Sequence, residues 1–544
     1  MKASQIYMFF CLTLIASSFF IKMIWWNDPV WGLKYDRQIT TLDTIEAYAR
    51  SGIDFFQPER YWTSHWEQFY VLELSIYQAL SAWVSGFTDT VLSASRATNL
   101  FFTLLTLPAI FQITATYFCR KTAAYAVVFY SFAPLNLMYQ AATLIDVSTT
   151  FFATTAYWML VQYFKGNKSI TVFFVFFLAG ACCVVTKPLY FLPSGVLLIT
   201  HFFQQRVLSQ PKKILDYIIN HRGIIGAFTL ITLITFLWLA IQSQLNTTSH
   251  SKLNASEFLS FYHVFDLLFY LRIIFRWMLV VLNPVTFLFF ILGVLLFFRD
   301  HLKCERIALV YSIFAYHLIF GAMVTPHEYY LLVMVPFASI IAGLGARWIE
   351  EKIQDDFRIR PNYTYSAAIS LVSVICSVLI FSINFVSAQD IEQRSTHITK
   401  EMNGVLKQGQ YAFIYADRNN FPLHDYVVYN RTAKLKYFMG LISKEQIRVY
   451  SDPVRPTEIL SNLKIYGHVQ LVLFKDEKLF INPEKEIILE LDVEKAQTRY
   501  QGHLRYLMFY RFTETAKLKI RNRIEGHKLI YRSDNWLVYD LAPE

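Results

Sequence analysis

The chain is short of charge, of glycine and of cysteine, and each shortage closes off a class of protein. Only 17% of its 544 residues are Asp, Glu, Lys or Arg, against roughly 25% in soluble globular chains. With 55% hydrophobic residues and a mean hydropathy of +0.34, this deficit excludes a soluble enzyme and a disordered chain. The six cysteines (Cys11, Cys119, Cys182, Cys183, Cys304 and Cys376) match no zinc-ligand spacing. They exclude a disulfide-built secreted module and read as small apolar residues in helices. Glycine is sparse at 18 residues. No apolar run holds a convincing G-x-x-x-G, and there is no obvious internal repeat of the kind common in transporters. P-loop, G-x-S-x-G and H-E-x-x-H motifs are all missing.

What is present is hydrophobic sequence in long runs, and charge that is unevenly placed. Residues 1–388 hold 46 of the 90 charged residues and residues 389–544 hold 44, so the second part has the charge density of a soluble domain. The boundary falls near Ser387. A spanning helix needs about 20 mostly apolar residues. Eleven segments qualify: 5–26, 97–118, 122–139, 143–163, 169–186, 188–203, 223–243, 277–298, 307–324, 329–346 and 364–388. The first reads as an anchor, since its apolar run is long and lacks a clear cleavage site.

Residues 68–86, half apolar and carrying Glu73 and Gln78, decide the topology. With this segment lying on the surface and the N-terminus inside, inner loops of residues 1–388 hold 16 Lys and Arg and the longer outer loops hold nine. Counting it as a span reverses that bias and violates the positive-inside tendency. It therefore reads as an interfacial amphipathic helix. The basic balance, net +10, then marks cytoplasmic loops rather than nucleic-acid binding. Three outer elements are large: 27–96, 244–276 and 389–544. The last alternates β-like runs (YAFIYAD from Tyr411, QIRVYSD from Gln446, HVQLVLFKD from His468, KLIYRSDNWLVYDL from Lys528) with helix-like stretches, which predicts a small α/β or α+β domain.

Ionisable residues gather at one face of this arrangement. Asp36 and Arg37 follow the first span. TLDTIEAYA predicts a short amphipathic helix ended by Gly52, and Glu59, Arg60, His65 and Glu67 follow among aromatics. Arg96 begins the next span. Asp146 opens a span inside YQAATLIDVSTTFF, where a carboxylate is costly unless it faces water or a partner or is favoured by the helix dipole. Lys187, in VVTKPLYFLP, has no loop to spare; it either snorkels to the interface or neutralises a phosphate. His327, Glu328, Tyr329 and Tyr330 form a tight junction in TPHEYYLLVMVP, where aromatics also serve as interface anchors.

The order and spacing of these residues resemble the GT-C membrane glycosyltransferases, specifically the superfamily of protein O-mannosyltransferases and the lipid A aminoarabinose transferase. The resemblance covers roughly residues 1–350. Asp36 stands where the family carries an acid after its first span, Phe56 and Pro58 give F-x-P, and Glu67 opens the segment where the family often shows E-x-P-L-Y. Arg96, then Pro134 and Tyr139 as P-x-x-x-x-Y, Asp146, Lys187 and the H-x-Y-Y at His327–Tyr330 follow in order. The sequence departs in two places. Asp36 is followed by Arg37 rather than a second acid, and Gln68, Phe69 and Tyr70 replace the family's lysine-containing run after the glutamate.

The resemblance implies a polytopic α-helical membrane protein of about 11 spans that moves a sugar from a polyprenyl-phosphate donor to an acceptor hydroxyl on a lipid, glycan or protein. By this analogy Asp36 is the general base of an inverting displacement. Lys187, Arg96, His327, Arg37 and Tyr330 line the donor phosphate site. Asp146 and Glu67 orient sugar or acceptor, or take part in a divalent-metal site. The implied location is a bacterial inner membrane with residues 389–544 periplasmic, or the ER membrane in a eukaryote. Three rivals stand beside it: a transporter or flippase of a lipid-linked sugar, which calls for polar residues along a path through both leaflets; a glycan polymerase or ligase that shares the donor side; and a non-enzymatic scaffold with the soluble domain as a binding module, which would not require acids at helix ends on one face.

Overall fold

A computed structural model of the chain describes residues 3–24, 26, 35–56, 73–205, 211–245, 265–299, 304–324, 327–356 and 364–382, together with the strands between 411 and 540. The helical part consists of α1 (Ala3–Met23), α2 (Tyr35–Ser51), α3 (Ile76–Val84), α4 (Val91–Tyr117), α5 (Arg120–Phe132), α6 (Pro134–Tyr139), α7 (Asp146–Phe164), α8 (Ile170–Thr186), α9 (Leu192–Gln204), α10 (Pro211–Asn220), α11 (Arg222–Leu245), α12 (Leu267–Arg276), α13 (Pro284–Arg299), α14 (Cys304–Val324), α15 (Val335–Asp356) and α16 (Thr364–Ser382). Each of the eleven apolar segments overlaps one of these helices. Among the described residues, four helical stretches are long and apolar enough to cross a membrane: Val91–Tyr117, Arg222–Gln244, Glu328–Asp356 and Thr364–Ser382.

The helices stay helical because their polar side chains are satisfied locally. In α4 the hydroxyl of Thr90 caps the first turn by accepting from the amide of Ser93 at 3.1 Å. Thr98, Thr103, Thr106 and Thr114 each donate to the carbonyl four residues earlier, so these four hydroxyls are bonded within the helix itself. Pro134 opens α6, where a helix has no amide to lose, whereas Pro108 lies inside α4.

The core is crossed by α15, which is buried nearly throughout its apolar window, whereas α11 is mostly exposed. Glycines allow the closest crossing. A side chain at Gly293 would meet the carbonyl of Ile341, and one at Gly345 the carbonyl of Phe289. The sequence holds no G-x-x-x-G here; the contact is built from single glycines on two helices, a pairing that no one-segment motif displays.

Two segments differ from expectation. Of the expected interfacial helix 68–86, the described part begins at Glu73 and is helical only from Ile76, with Glu73 and Ser75 buried ahead of the helix. The predicted run 277–298 is broken: Trp277–Val281 makes one π-helical turn, Leu282 donates to the carbonyl of Trp277, and Asn283 takes φ of +65° before α13 begins. Asn283 is held there by bonds from its side chain to Thr286 and Ser377. A non-glycine residue with positive φ is uncommon, and asparagine is among the types that tolerate it.

Toward the C-terminus the described strands are β1 (Tyr411–Asp417), β2 (Val469–Lys475), β3 (Lys478–Asn482), β4 (Lys485–Leu489), β5 (Leu504–Tyr510), β6 (Lys528–Arg532) and β7 (Trp536–Asp540). They form one mixed sheet in the order β4-β3-β2-β1-β5-β7-β6. β1 is central and pairs in parallel with β2 and β5; the flanking pairs are antiparallel. The β-like run from Gln446 lies outside the described residues.

Candidate functional site

The site is built around the linker 140–145, which joins α6 to α7. An irregular linker buried in a helical bundle must find partners for its backbone groups, and here side chains supply them. Asn99 donates to the carbonyls of Ala142 and Leu144 at 2.5 and 3.0 Å. Ser95 bonds the hydroxyl of Thr143 at 2.9 Å, and Gln38 accepts from the amide of Thr143 at 3.2 Å. The starts of α2 and α4 thereby fix where α7 begins.

The first residue of α7 is Asp146, fully buried. Its Oδ1 accepts from the Lys187 ammonium and from the Tyr190 hydroxyl, both at 2.5 Å. Its Oδ2 has no partner among the described residues. Lys187 lies in the break between α8 and α9 with its ammonium over the rings of Tyr330 (4.3 Å), Tyr329 (4.9 Å) and Tyr190 (5.5 Å). Lys187 is therefore not a snorkelling lysine: it is buried, ion-paired and enclosed by three tyrosines, a setting that strengthens both the ion pair and the cation–π contacts.

The turn 327–334 closes one side. Tyr329 and Tyr330 stack at 4.7 Å, and His327 lies against both rings. Glu328 is fully buried. Its Oε1 accepts from the Tyr139 hydroxyl at 2.5 Å, and its Oε2 has no partner among the described residues. Buried Arg276, which donates to the carbonyl of Val324 at 2.5 Å, lies within electrostatic range of Glu328 and Tyr139.

The first loop closes the other side. Arg37 bonds the carboxylate of Glu73 at 2.6 Å and lies within electrostatic range of Tyr329 and Tyr330. Burial alone lowers the proton affinity of Arg37, but the Glu73 carboxylate outweighs it and holds the group above its ordinary value. The amide of Leu74 donates to the carbonyl of Val185 at 2.9 Å, which ties this loop to the helix end beside Lys187. Arg96 is buried in the first turns of α4 and donates to the carbonyl of Trp26 at 2.6 Å.

The structure thus brings Arg37, Asp146, Lys187, His327 and Tyr330 into one constellation, with Arg96 anchoring the entry from α1. The backbone of Asp36 lies in the first turn of α2, beside Arg37. Glu67 lies outside the described residues, as do Glu59, Arg60 and His65. Beyond the predicted site residues, the structure adds Glu73, Tyr139, Tyr190, Arg276, Glu328 and Tyr329. Tyr190 looks like any aromatic of an apolar run, Tyr139 stands in the sequence only as a motif position, and Glu73 bears there only on topology. The available signal was spacing: Tyr190 lies three residues after Lys187, and Glu328 directly after His327. Among the described residues, no three metal-ligating side chains cluster.

No family model and no curated protein matches the chain. Solved structures do. ArnT from Cupriavidus metallidurans bound to undecaprenyl phosphate superposes with a TM-score of 0.57 over 97% of both chains at 11% identity. The Archaeoglobus fulgidus oligosaccharyltransferase in complex with Zn and sulfate gives 0.51 at 12% identity, over 93% of this chain and 68% of that one. The fold is GT-C. In that fold the constellation described above sits where helix breaks, an irregular linker and the first loop converge.

Proposed function

We propose that the chain is a GT-C glycosyltransferase that moves a sugar from a polyprenyl-phosphate donor to an acceptor hydroxyl at one membrane face. The observation that carries the reading is the buried Asp146–Lys187 pair under three tyrosines, joined through Leu74 and Arg37 to the loop that bears Asp36. The likeness to ArnT bound to undecaprenyl phosphate supports the choice of donor.

The proposed step is a single inverting displacement. Asp36 takes the proton of the acceptor hydroxyl, whose oxygen forms the new bond to the anomeric carbon. The bond from that carbon to the phosphate oxygen breaks, and polyprenyl phosphate leaves with the electron pair. A carboxylate suits the base role, and cations suit the place where phosphate charge develops. Lys187, Arg96, Arg37, His327 and Tyr330 line that place in this proposal. Asp146, with Oδ1 already committed, offers Oδ2 to a sugar or acceptor hydroxyl, and Glu67 belongs to the same orienting set. An eleven-span topology, an outer C-terminal domain at 389–544 and a bacterial inner-membrane location form part of the proposal, as does a lipid, glycan or protein acceptor.

The test is transfer by purified protein in lipid, using a panel of radiolabelled polyprenyl-phosphate sugars with crude cell envelope as acceptor. Label transfer that is lost in Asp36→Asn supports the reading. A folded Asp36→Asn protein with full activity removes Asp36 from the mechanism.

A further inference from the structure

The anticipated phosphate-binding cations mostly have commitments of their own. Lys187 is paired with Asp146, Arg37 with Glu73, and Arg96 spends one guanidinium hydrogen on a carbonyl. One buried cation at the same end is in a different state. Lys22, in the last turn of α1, is 1% exposed, and its ammonium has no hydrogen-bond acceptor among the described residues. The ammonium lies over the ring of Phe19, 4.9 Å from its centroid.

Its placement argues against a lysine that simply reaches for the interface. Tyr7, Cys11, Leu14, Ser18 and Lys22 recur at helical spacing, and all five are buried. Lys22 is therefore the last member of the inward seam of α1. It points into the bundle rather than to lipid, so snorkelling does not account for it. Favour from the helix C-terminus applies to basic residues in a last turn generally and gives no reason to bury this one.

The seam ends beside the site. Four residues past Lys22, the carbonyl of Trp26 is held by Arg96. α1 packs on α5 and α6, and α6 ends in Tyr139, the donor to Glu328. A buried ionisable group without a counter-charge is costly and in a membrane protein marks a functional site by default.

We propose that Lys22 receives the phosphate of a lipid phosphate at this end of the bundle. On the glycosyltransferase reading, which supplies the lipid's identity, that phosphate belongs to the polyprenyl phosphate. An ammonium shielded from water attracts an anion far more strongly than an exposed one, and a single charge-assisted contact is worth roughly 10- to 100-fold in affinity.

The experiment uses the full chain in phosphatidylcholine nanodiscs. Binding of undecaprenyl phosphate, of undecaprenol and of phosphatidic acid is measured for wild type, Lys22→Met and Lys22→Arg, together with each protein's Tm. Lys22→Met should weaken undecaprenyl phosphate binding roughly 10- to 100-fold and leave undecaprenol binding unchanged, while Lys22→Arg stays close to wild type. Its Tm should equal or exceed wild type, because an uncompensated buried charge has been removed. If Lys22→Met does not fold, Lys22→Gln carries the same comparison. Undecaprenyl phosphate binding that is indifferent to Lys22, or an equal loss of undecaprenol binding, overturns the proposal. Phosphatidic acid bound through Lys22 as tightly as undecaprenyl phosphate, with no transfer by wild type, would retain the phosphate site and sink the glycosyltransferase reading instead.

Discussion

The two ends of the helical bundle both bury carboxylates and treat them differently. Where α5 and α16 begin, Glu350 is fully buried and takes four donors: Lys121 at 2.6 Å, Tyr125 at 2.9 Å, Ser366 at 2.7 Å and Gln354 at 3.1 Å. Near the same end, Glu305 accepts from Lys165 at 2.7 Å. At the site end Asp146 and Glu328 are as deeply buried as Glu350, yet each has one oxygen with no partner among the described residues. A saturated buried charge holds helices together. One with an unpartnered oxygen is left open to a further donor, whether a water or a ligand group. The same residue types thus read as structure at one end and as chemistry at the other.

The largest expected effect breaks the site end without touching the far end. Asp36→Asn should lower the transfer rate by about 10²- to 10⁴-fold, the usual worth of a general base, with Tm unchanged. Next comes the converse. Glu350→Ala removes four hydrogen bonds at once; breaking a fully buried pair costs about 3–5 kcal/mol, and the cost here lies toward or below the low end because Lys121 is 26% exposed. Thermal unfolding in detergent should show a large drop in Tm, while transfer activity per folded molecule stays near wild type. Loss of activity out of proportion to the folded fraction would mean that the two ends are not separate in function.

A smaller effect sharpens the comparison within the site. Tyr190→Phe removes one hydroxyl donor from Asp146 and leaves Lys187 in place. A hydrogen bond to a charged group is worth about 1.5–3 kcal/mol, so stability should fall by an amount in that range or below. Activity should fall with it, because the geometry of Asp146 then rests on Lys187 alone. A Tyr190→Phe protein with unaltered turnover would assign the tyrosine to packing.

Helix positions were legible because a long apolar run has few alternatives. Convergence of Asp146, Lys187 and His327–Tyr330 was legible for a related reason: ionisable residues at helix breaks with no loop to spare must go somewhere costly or useful. Their pairing was not. Lys187 lies 41 residues from Asp146 and Glu73 lies 36 from Arg37, and nothing local encodes which charge meets which. The break at Asn283 was hidden because its residue types suit a continuous helix until Pro284. Lys22 was hidden most completely, since a single lysine near the end of an apolar helix usually reaches the interface. Only the buried seam from Tyr7 to Lys22 shows that it does not.

The smallest effect tests whether saturation, rather than charge, distinguishes the far end. Arg347 and Glu351 are paired there at 2.7 Å one helical turn apart, and both are about a third or more exposed. Exposed pairs at this spacing contribute about 0.3–0.5 kcal/mol, because water screens them and ordering both side chains costs entropy. Glu351→Gln should therefore shift Tm barely measurably, an order of magnitude less than Glu350→Ala at the adjacent position. Arg347 also donates to the sulfur of Cys119 at 3.1 Å, so part of its positioning survives the change. A Glu351→Gln loss comparable to that of Glu350→Ala would show that the whole charged rim acts as one network. The stability of the far end would then depend on its total charge rather than on the single carboxylate buried beneath it.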